Sequence, residues 1–104
     1  MKSANPDPAE TDIRRAASIE WARQQAGLEA VDVQPISGDA SARRYFRILA
    51  DSRRLVVMDA PPQQEPLAPF VDIARRLRRA GLNVPEILAR DDERGFLLLS
   101  DLGD

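Results

Sequence analysis

Between two strand-like runs of this 104-residue chain lies Ser37-Gly38-Asp39-Ala40-Ser41, five small residues whose backbone could close on an anion. Gly38 has no Cβ, so main-chain N–H groups there can approach a phosphate oxygen, and the Ser41 hydroxyl adds a donor. Three arginines follow: Arg43, Arg44 and Arg47. A guanidinium beside such a loop can hold phosphate oxygens in a two-pronged fork. Strand alternation puts Arg43, Tyr45 and Arg47 on one face and Arg44, Phe46 and Ile48 on the other. The same residues also suit an ordinary hairpin turn and a solvated strand face, since the run lacks a full Gly-x-Gly-x-x-Gly spacing. A second group, Arg75, Arg76, Arg78 and Arg79, reads as a solvated helix face.

Several chemistries are closed to these residues. Cysteine and histidine are absent, which removes disulfides, thiolate nucleophiles and the commonest general base and metal ligand. Lys2 is the only lysine among fifteen basic side chains, so a role that needs a lysine inside a fold has no residue to fill it. A net charge of −2 argues against a nucleic-acid partner held by bulk electrostatics. Hydrophobic residues are 43% and charged residues 31%, the balance of an ordinary soluble domain. No apolar run approaches the ~20 residues that cross a bilayer, and the Pro- and Asp-containing start is unlike a signal peptide. The expectation is a cytoplasmic protein with no membrane partner.

The elements that must position these residues follow from period and punctuation. Residues 1–10 read as a flexible lead-in to a domain spanning 11–104. Thr11 is a plausible N-cap and Gly27 a plausible C′ residue, with Ile13, Ala17 and Trp21 recurring on one helical face between them. Val31, Val33 and Ile36 mark a first strand, Tyr45 to Leu49 a second and Leu55 to Met58 a third, joined by a turn at Asp51-Ser52. Pro61-Pro62 stops the third. A helix opens near Pro66 with Leu67, Phe70, Val71, Ala74 and Leu77 as its stripe, and Gly81 ends it. Val84 to Ala89 predicts a fourth strand, Asp91 to Gly95 a turn, and Phe96 to Leu99 a fifth. That last run is wholly apolar and predicts a central strand covered on both faces. The fold class is α+β, one five-stranded antiparallel sheet with an N-terminal helix and one helix between strands 3 and 4.

The first strand and four blocks after it carry a family resemblance: Ser37 to Phe46, Leu55-Val56-Val57-Met58-Asp59-Ala60-Pro61-Pro62, Ala80 to Leu88, and Gly95 to Gly103. In this order they resemble the start of the aminoglycoside phosphotransferase superfamily, whose members share the protein kinase fold. Within it the similarity is greatest to bacterial anomeric kinases of N-acetylmuramate and N-acetylglucosamine, and it covers roughly residues 12–104. The resemblance implies a kinase-like small lobe that binds ATP, with magnesium held by ligands in a large lobe after the hinge. Carried over, Gly38, Asp39, Ala40, Ser41 and Arg43 form the loop over the phosphates. Ile36, Val56 and Leu99 line the adenine slot, and Ser100, Asp101 and Leu102 form the hinge.

Two departures from the family pattern matter. The usual lysine or arginine of the third strand falls at Met58, and its usual glutamate partner falls at Phe70, so an apolar Met58–Phe70 contact is expected instead. Positive charge near the phosphates must then come from Arg43, Arg44 or Arg47. The catalytic aspartate and the metal-holding residues belong to the large lobe, so no catalytic or metal residue is assigned here and these residues alone are expected to be inactive. The lobe's underside, which faces the large lobe, could support self-association. Three alternatives remain at this level: another small acceptor (choline, a fructosamine, an aminoglycoside), a non-catalytic adaptor of the same fold, or a structural α+β domain with no ligand.

Overall fold

The computed structural model describes residues 8–36, 43–50, 52–64 and 66–101, with side chains from residue 13 onward. The first helix, α1, spans Pro8–Ala26. It begins three residues before the predicted cap at Thr11, because Pro8 is tolerated in a first turn and nothing between it and Thr11 breaks a helix. Residues 8–10 of the predicted lead-in are therefore helical, and residues 1–7 lie outside the described residues. The buried side of α1 is built on Ser18, Trp21 and Ala22, with Arg14 and Ala17 beside them. Ile13 stands about 100° around the helix from Arg14 and is 69% exposed, so the predicted Ile13–Ala17–Trp21 stripe is corrected at its first member. Small residues at 18 and 22 let the helix lie close to the sheet, and the buried Ser18 hydroxyl is satisfied by donating to the Arg15 carbonyl at 2.8 Å.

Five strands follow: β1 (Asp32–Ile36), β2 (Arg44–Ala50), β3 (Arg53–Asp59), β4 (Ile87–Asp91) and β5 (Phe96–Ser100), with helix α2 (Leu67–Arg79) between β3 and β4. Every pairing is antiparallel and the order is β1-β2-β3-β5-β4. Pro35 is tolerated because β1 is an edge strand. β4 starts at Ile87 rather than at the predicted Val84: Val84 N–H turns back to the Leu82 carbonyl at 3.1 Å, and Pro85 has no N–H to give a ladder. A register irregularity between Ile87 and Ala89 leaves Leu88 exposed.

Alternation divides the sheet into two apolar faces. Ile48, Leu55, Val57, Phe96 and Leu98 meet Trp21 and Ala22 of α1, with the Trp21 and Phe96 rings 5.7 Å apart at 48°. Met58, Leu97 and Leu99 meet Leu67 and Val71 of α2 on the other side. Phe96 to Leu99 are all buried, as the unbroken apolar run predicts for an interior strand. Only the first two turns of α2 pack fully. Beside them Pro66, Pro69, Phe70, Ile73, Ala74 and Leu77 line one side of an open groove of about 400 Å³, which Arg43, Val84 and Pro85 complete.

One glycine is set by close approach. Gly95 has φ +80° and donates its N–H to the Asp91 carbonyl at 2.8 Å, while its own carbonyl accepts from Ala60 N–H at 2.8 Å. A Cβ there would lie 1.9 Å from the Ala60 oxygen. The β4–β5 turn thus locks onto the Ala60-Pro61-Pro62 segment that ends β3.

Candidate functional site

The sheet face shared with α2 carries two cross-strand rows of side chains. One runs Gln34, Arg47, Val56, Leu99 and Ile87; the other runs Ile36, Tyr45, Met58 and Leu97. β1 leaves the sheet and β2 enters it at the second row, at the Ile36–Tyr45 pair. β5 leaves at the opposite end, where Ser100 pairs with Leu55. Four strand residues, about 14 Å, separate that exit from the level of Asp59 and Phe96. Between these two ends lies an apolar floor made by half-buried Val56 and buried Leu99.

The predicted site residues fall along this face unevenly. Ile36, Val56 and Leu99 share it. Gly38, Asp39, Ala40, Ser41 and Leu102 lie outside the described residues. Arg43 sits at the root of the connection, its guanidinium 5.5 Å from the centroid of the Phe70 ring. Phe70 packs against the cluster that contains the fully buried Met58, so these two apolar side chains share one cluster. Arg44 points to the other face, where it donates to Asp59 at 2.7 Å and stacks on Phe46. Arg47 lies at the far end of the floor and donates through Nε to Asp101 Oδ2 at 2.7 Å. Alternation, read from sequence, separates Arg44 from Arg43 and Arg47 as the structure does.

At the strand exit, Ser100 N–H donates to the Glu86 carbonyl at 2.9 Å and Ser100 Oγ accepts from Glu86 N–H at 2.8 Å. Its N–H is thereby committed to the neighbouring segment. Asp101 follows with a side chain only 3% exposed, facing Arg47 and also Arg54 at 3.4 Å.

A family model described as "Phosphotransferase enzyme family" matches residues 32–104. The chain belongs to the phosphotransferase enzyme family. Its relatives include proteins named N-acetylmuramate/N-acetylglucosamine kinase. That of Pseudomonas aeruginosa is 64% identical over 69 residues, which cover 66% of this chain and 20% of the relative. That of Pseudomonas putida is 49% identical over 83 residues, 80% of this chain and 23% of the relative. That of Neisseria meningitidis is 38% identical over 74 residues, 70% and 22% respectively. The chain thus spans between 20% and 23% of the length of these relatives. The resemblance drawn from the sequence blocks and the kinase-like small-lobe fold both hold for this phosphotransferase-family chain.

Two charged groups of this phosphotransferase-family lobe escaped the sequence reading. Asp59 is fully buried and accepts from Arg14 Nε at 2.9 Å as well as from Arg44. An aspartate directly after Leu55-Val56-Val57-Met58, in a chain whose cations are nearly all arginine, was the available signal. Asp101 was read only for its main chain, although its carboxylate is the buried partner of two arginines. Among the described residues no three metal-ligating side chains converge. No helix of the described residues is long and apolar enough to cross a membrane.

Proposed function

We propose that this chain is the nucleotide-binding lobe of an ATP-dependent kinase that phosphorylates the anomeric hydroxyl of N-acetylmuramate or N-acetylglucosamine, as peptidoglycan recycling requires. The observation that carries this reading is the Val56–Leu99 floor, lying between the exit of β5 and the root of the 37–43 connection. Identity of 64% to the kinase of Pseudomonas aeruginosa supports the choice of acceptor.

The adenine ring lies on Val56 and Leu99, with Ile36 above the slot towards the phosphates, and main-chain groups after Ser100 meet its polar edge. The phosphates extend to the connection that holds Gly38 to Ser41. Arg43 is the cation at that end: it stands at the root of the connection, on the sheet face of Met58, and its stacking on Phe70 orients it. Arg44 serves Asp59 on the opposite face. In the transfer, the bond between the γ-phosphorus and its bridging oxygen breaks and a bond to the anomeric oxygen forms. ADP leaves, and the hydroxyl proton passes to a base outside these residues. The contribution of this lobe is binding and orientation. Magnesium belongs with ligands outside the described residues.

The test is transfer of labelled γ-phosphate from ATP by the full-length protein to a panel of N-acetylmuramate, N-acetylglucosamine, choline, a fructosamine and an aminoglycoside. Labelled N-acetylamino-sugar 1-phosphate supports the reading. Transfer only to another acceptor replaces the substrate, and no transfer to any favours an adaptor, for which the apolar Met58 and Phe70 would be the reason. Arg43→Ala is expected to raise the KM for ATP several-fold, and an unchanged KM removes Arg43 from the phosphates.

A further inference from the structure

Asp101 is the first residue after β5, and its carboxylate is turned back onto the sheet. Arg47 Nε donates to Oδ2 at 2.7 Å and Arg47 Nη2 reaches Oδ1 at 3.4 Å. Arg54 Nε lies 3.4 Å from Oδ2. Arg47 comes from β2 and Arg54 from β3, so one carboxylate binds the strand exit to two neighbouring strands. The preceding residue is fixed on the other side through its two hydrogen bonds to Glu86. The peptide that leaves the sheet is therefore held from both directions.

The position of this cluster decides its meaning. Arg47, Val56 and Leu99 are consecutive members of one cross-strand row. The row sets Arg47 beside the apolar floor, and its bond to Asp101 draws the guanidinium towards the strand exit, away from the root of β2. A guanidinium left to itself there would be a solvated cation at the mouth of an apolar slot. Drawn onto a carboxylate that is 3% exposed, with its own side chain 19% exposed, it becomes a wall.

We propose that Arg47 and Asp101 are the positioning pair of the nucleobase slot. Asp101 sets the place of the strand-exit main chain, and Arg47, held by Asp101, closes the far end of the slot over Val56 and Leu99. The pair acts on the base and not on the phosphates, which moves Arg47 out of the set of phosphate-binding candidates. This inference rests on the ATP-binding reading above.

The experiment uses the full-length protein with ATP and N-acetylmuramate, and compares wild type with Asp101→Asn, Arg47→Met and Arg47→Lys. Asp101→Asn and Arg47→Met are expected to raise the KM for ATP roughly tenfold, the scale of one lost charge-assisted contact. The kcat and the KM for the sugar stay unchanged. Arg47→Lys, which keeps the charge near Asp101, is expected to recover part of the loss. Thermal midpoints are read in parallel, and Arg54→Met, at a side chain 52% exposed, serves as a milder perturbation of the same carboxylate. A KM for ATP unmoved in every variant overturns the proposal while leaving the kinase reading standing. So does a fall in kcat at constant KM, which would put Arg47 with the transferring phosphate. A wild-type protein that uses no ATP overturns both.

Discussion

Arg14 of α1 and Asp59 at the end of β3 are joined by a hydrogen bond of 2.9 Å from Nε to Oδ1, across 45 positions of sequence. The same Arg14 donates to the Arg94 carbonyl at 2.6 Å, so one guanidinium holds the helix, the end of β3 and the β4–β5 turn together. Asp59 is completed by Arg44. Asp59→Asn is expected to lower unfolding stability by about 3 kcal/mol, the usual scale for breaking a buried pair from one side. Arg44→Met, at a side chain 31% exposed, should cost clearly less. Urea denaturation midpoints check both, and equal losses would contradict the burial argument.

The two turn glycines Gly27 and Gly95 share a left-handed backbone, at φ +69° and +80°, but not their surroundings. A Cβ on Gly27 meets nothing within 4 Å, whereas one on Gly95 strikes the Ala60 carbonyl. Gly27→Ala should therefore cost only the backbone term, about 1 kcal/mol. Gly95→Ala should cost at least about 3 kcal/mol, because the chain must also move. Chemical denaturation of the two variants measures the difference directly.

Trp21 is the sole tryptophan, 6% exposed, with its ring tilted against Phe96. Its emission should be blue-shifted in the native protein and move red in a single step on unfolding. Trp21→Ala is expected to remove about 3–5 kcal/mol, the range for emptying a core aromatic site. Circular dichroism reads that loss without the fluorophore.

Acid should loosen the β4–β5 turn first at its carboxylates. The Arg94 side chain, and then the Arg94 N–H, hold Asp91 below its ordinary value, and the Arg90 side chain does the same for Asp92. Both carboxyls are depressed in the folded state, so their stabilisation is present above the unfolded value of about 4. It is lost as pH falls through the lower folded values. The pairs are largely solvated, and the contribution is under about 1 kcal/mol and fades with salt. Thermal midpoints between about pH 2 and 6 should fall less steeply for Asp91→Asn than for wild type.

Most of the architecture was legible because patterning and punctuation agreed. Phe96 to Leu99 announced an interior strand, Pro61-Pro62 and Gly81 bounded α2, and alternation sorted Arg43 and Arg47 from Arg44. What escaped was set by partners remote in sequence. Ile13 matched the helical period, yet the contact face of α1 is chosen by small residues at 18 and 22 and by Arg14 reaching Asp59. Val84 looked like strand, but a proline beside it removes the donor a ladder needs. For the candidate site, alternation put Arg47 on the face of Arg43 and Tyr45, whereas its pairing with Asp101 spans 54 positions that no local pattern connects.

The strand order has a bearing on how this lobe comes into being. β5 follows the other four strands in sequence, yet it lies between β3 and β4, and among the described residues β4 pairs with β5 alone. Its residues complete the apolar layers on both sides at once, Phe96 and Leu98 beneath α1, Leu97 and Leu99 beneath α2. A nascent chain therefore carries two half-built cores and an unpaired β3 edge until Phe96 to Ser100 are free. Assembly should be late and all-or-none, and a stall before Phe96 would expose the aggregation-prone Leu-Val-Val-Met edge that β5 covers.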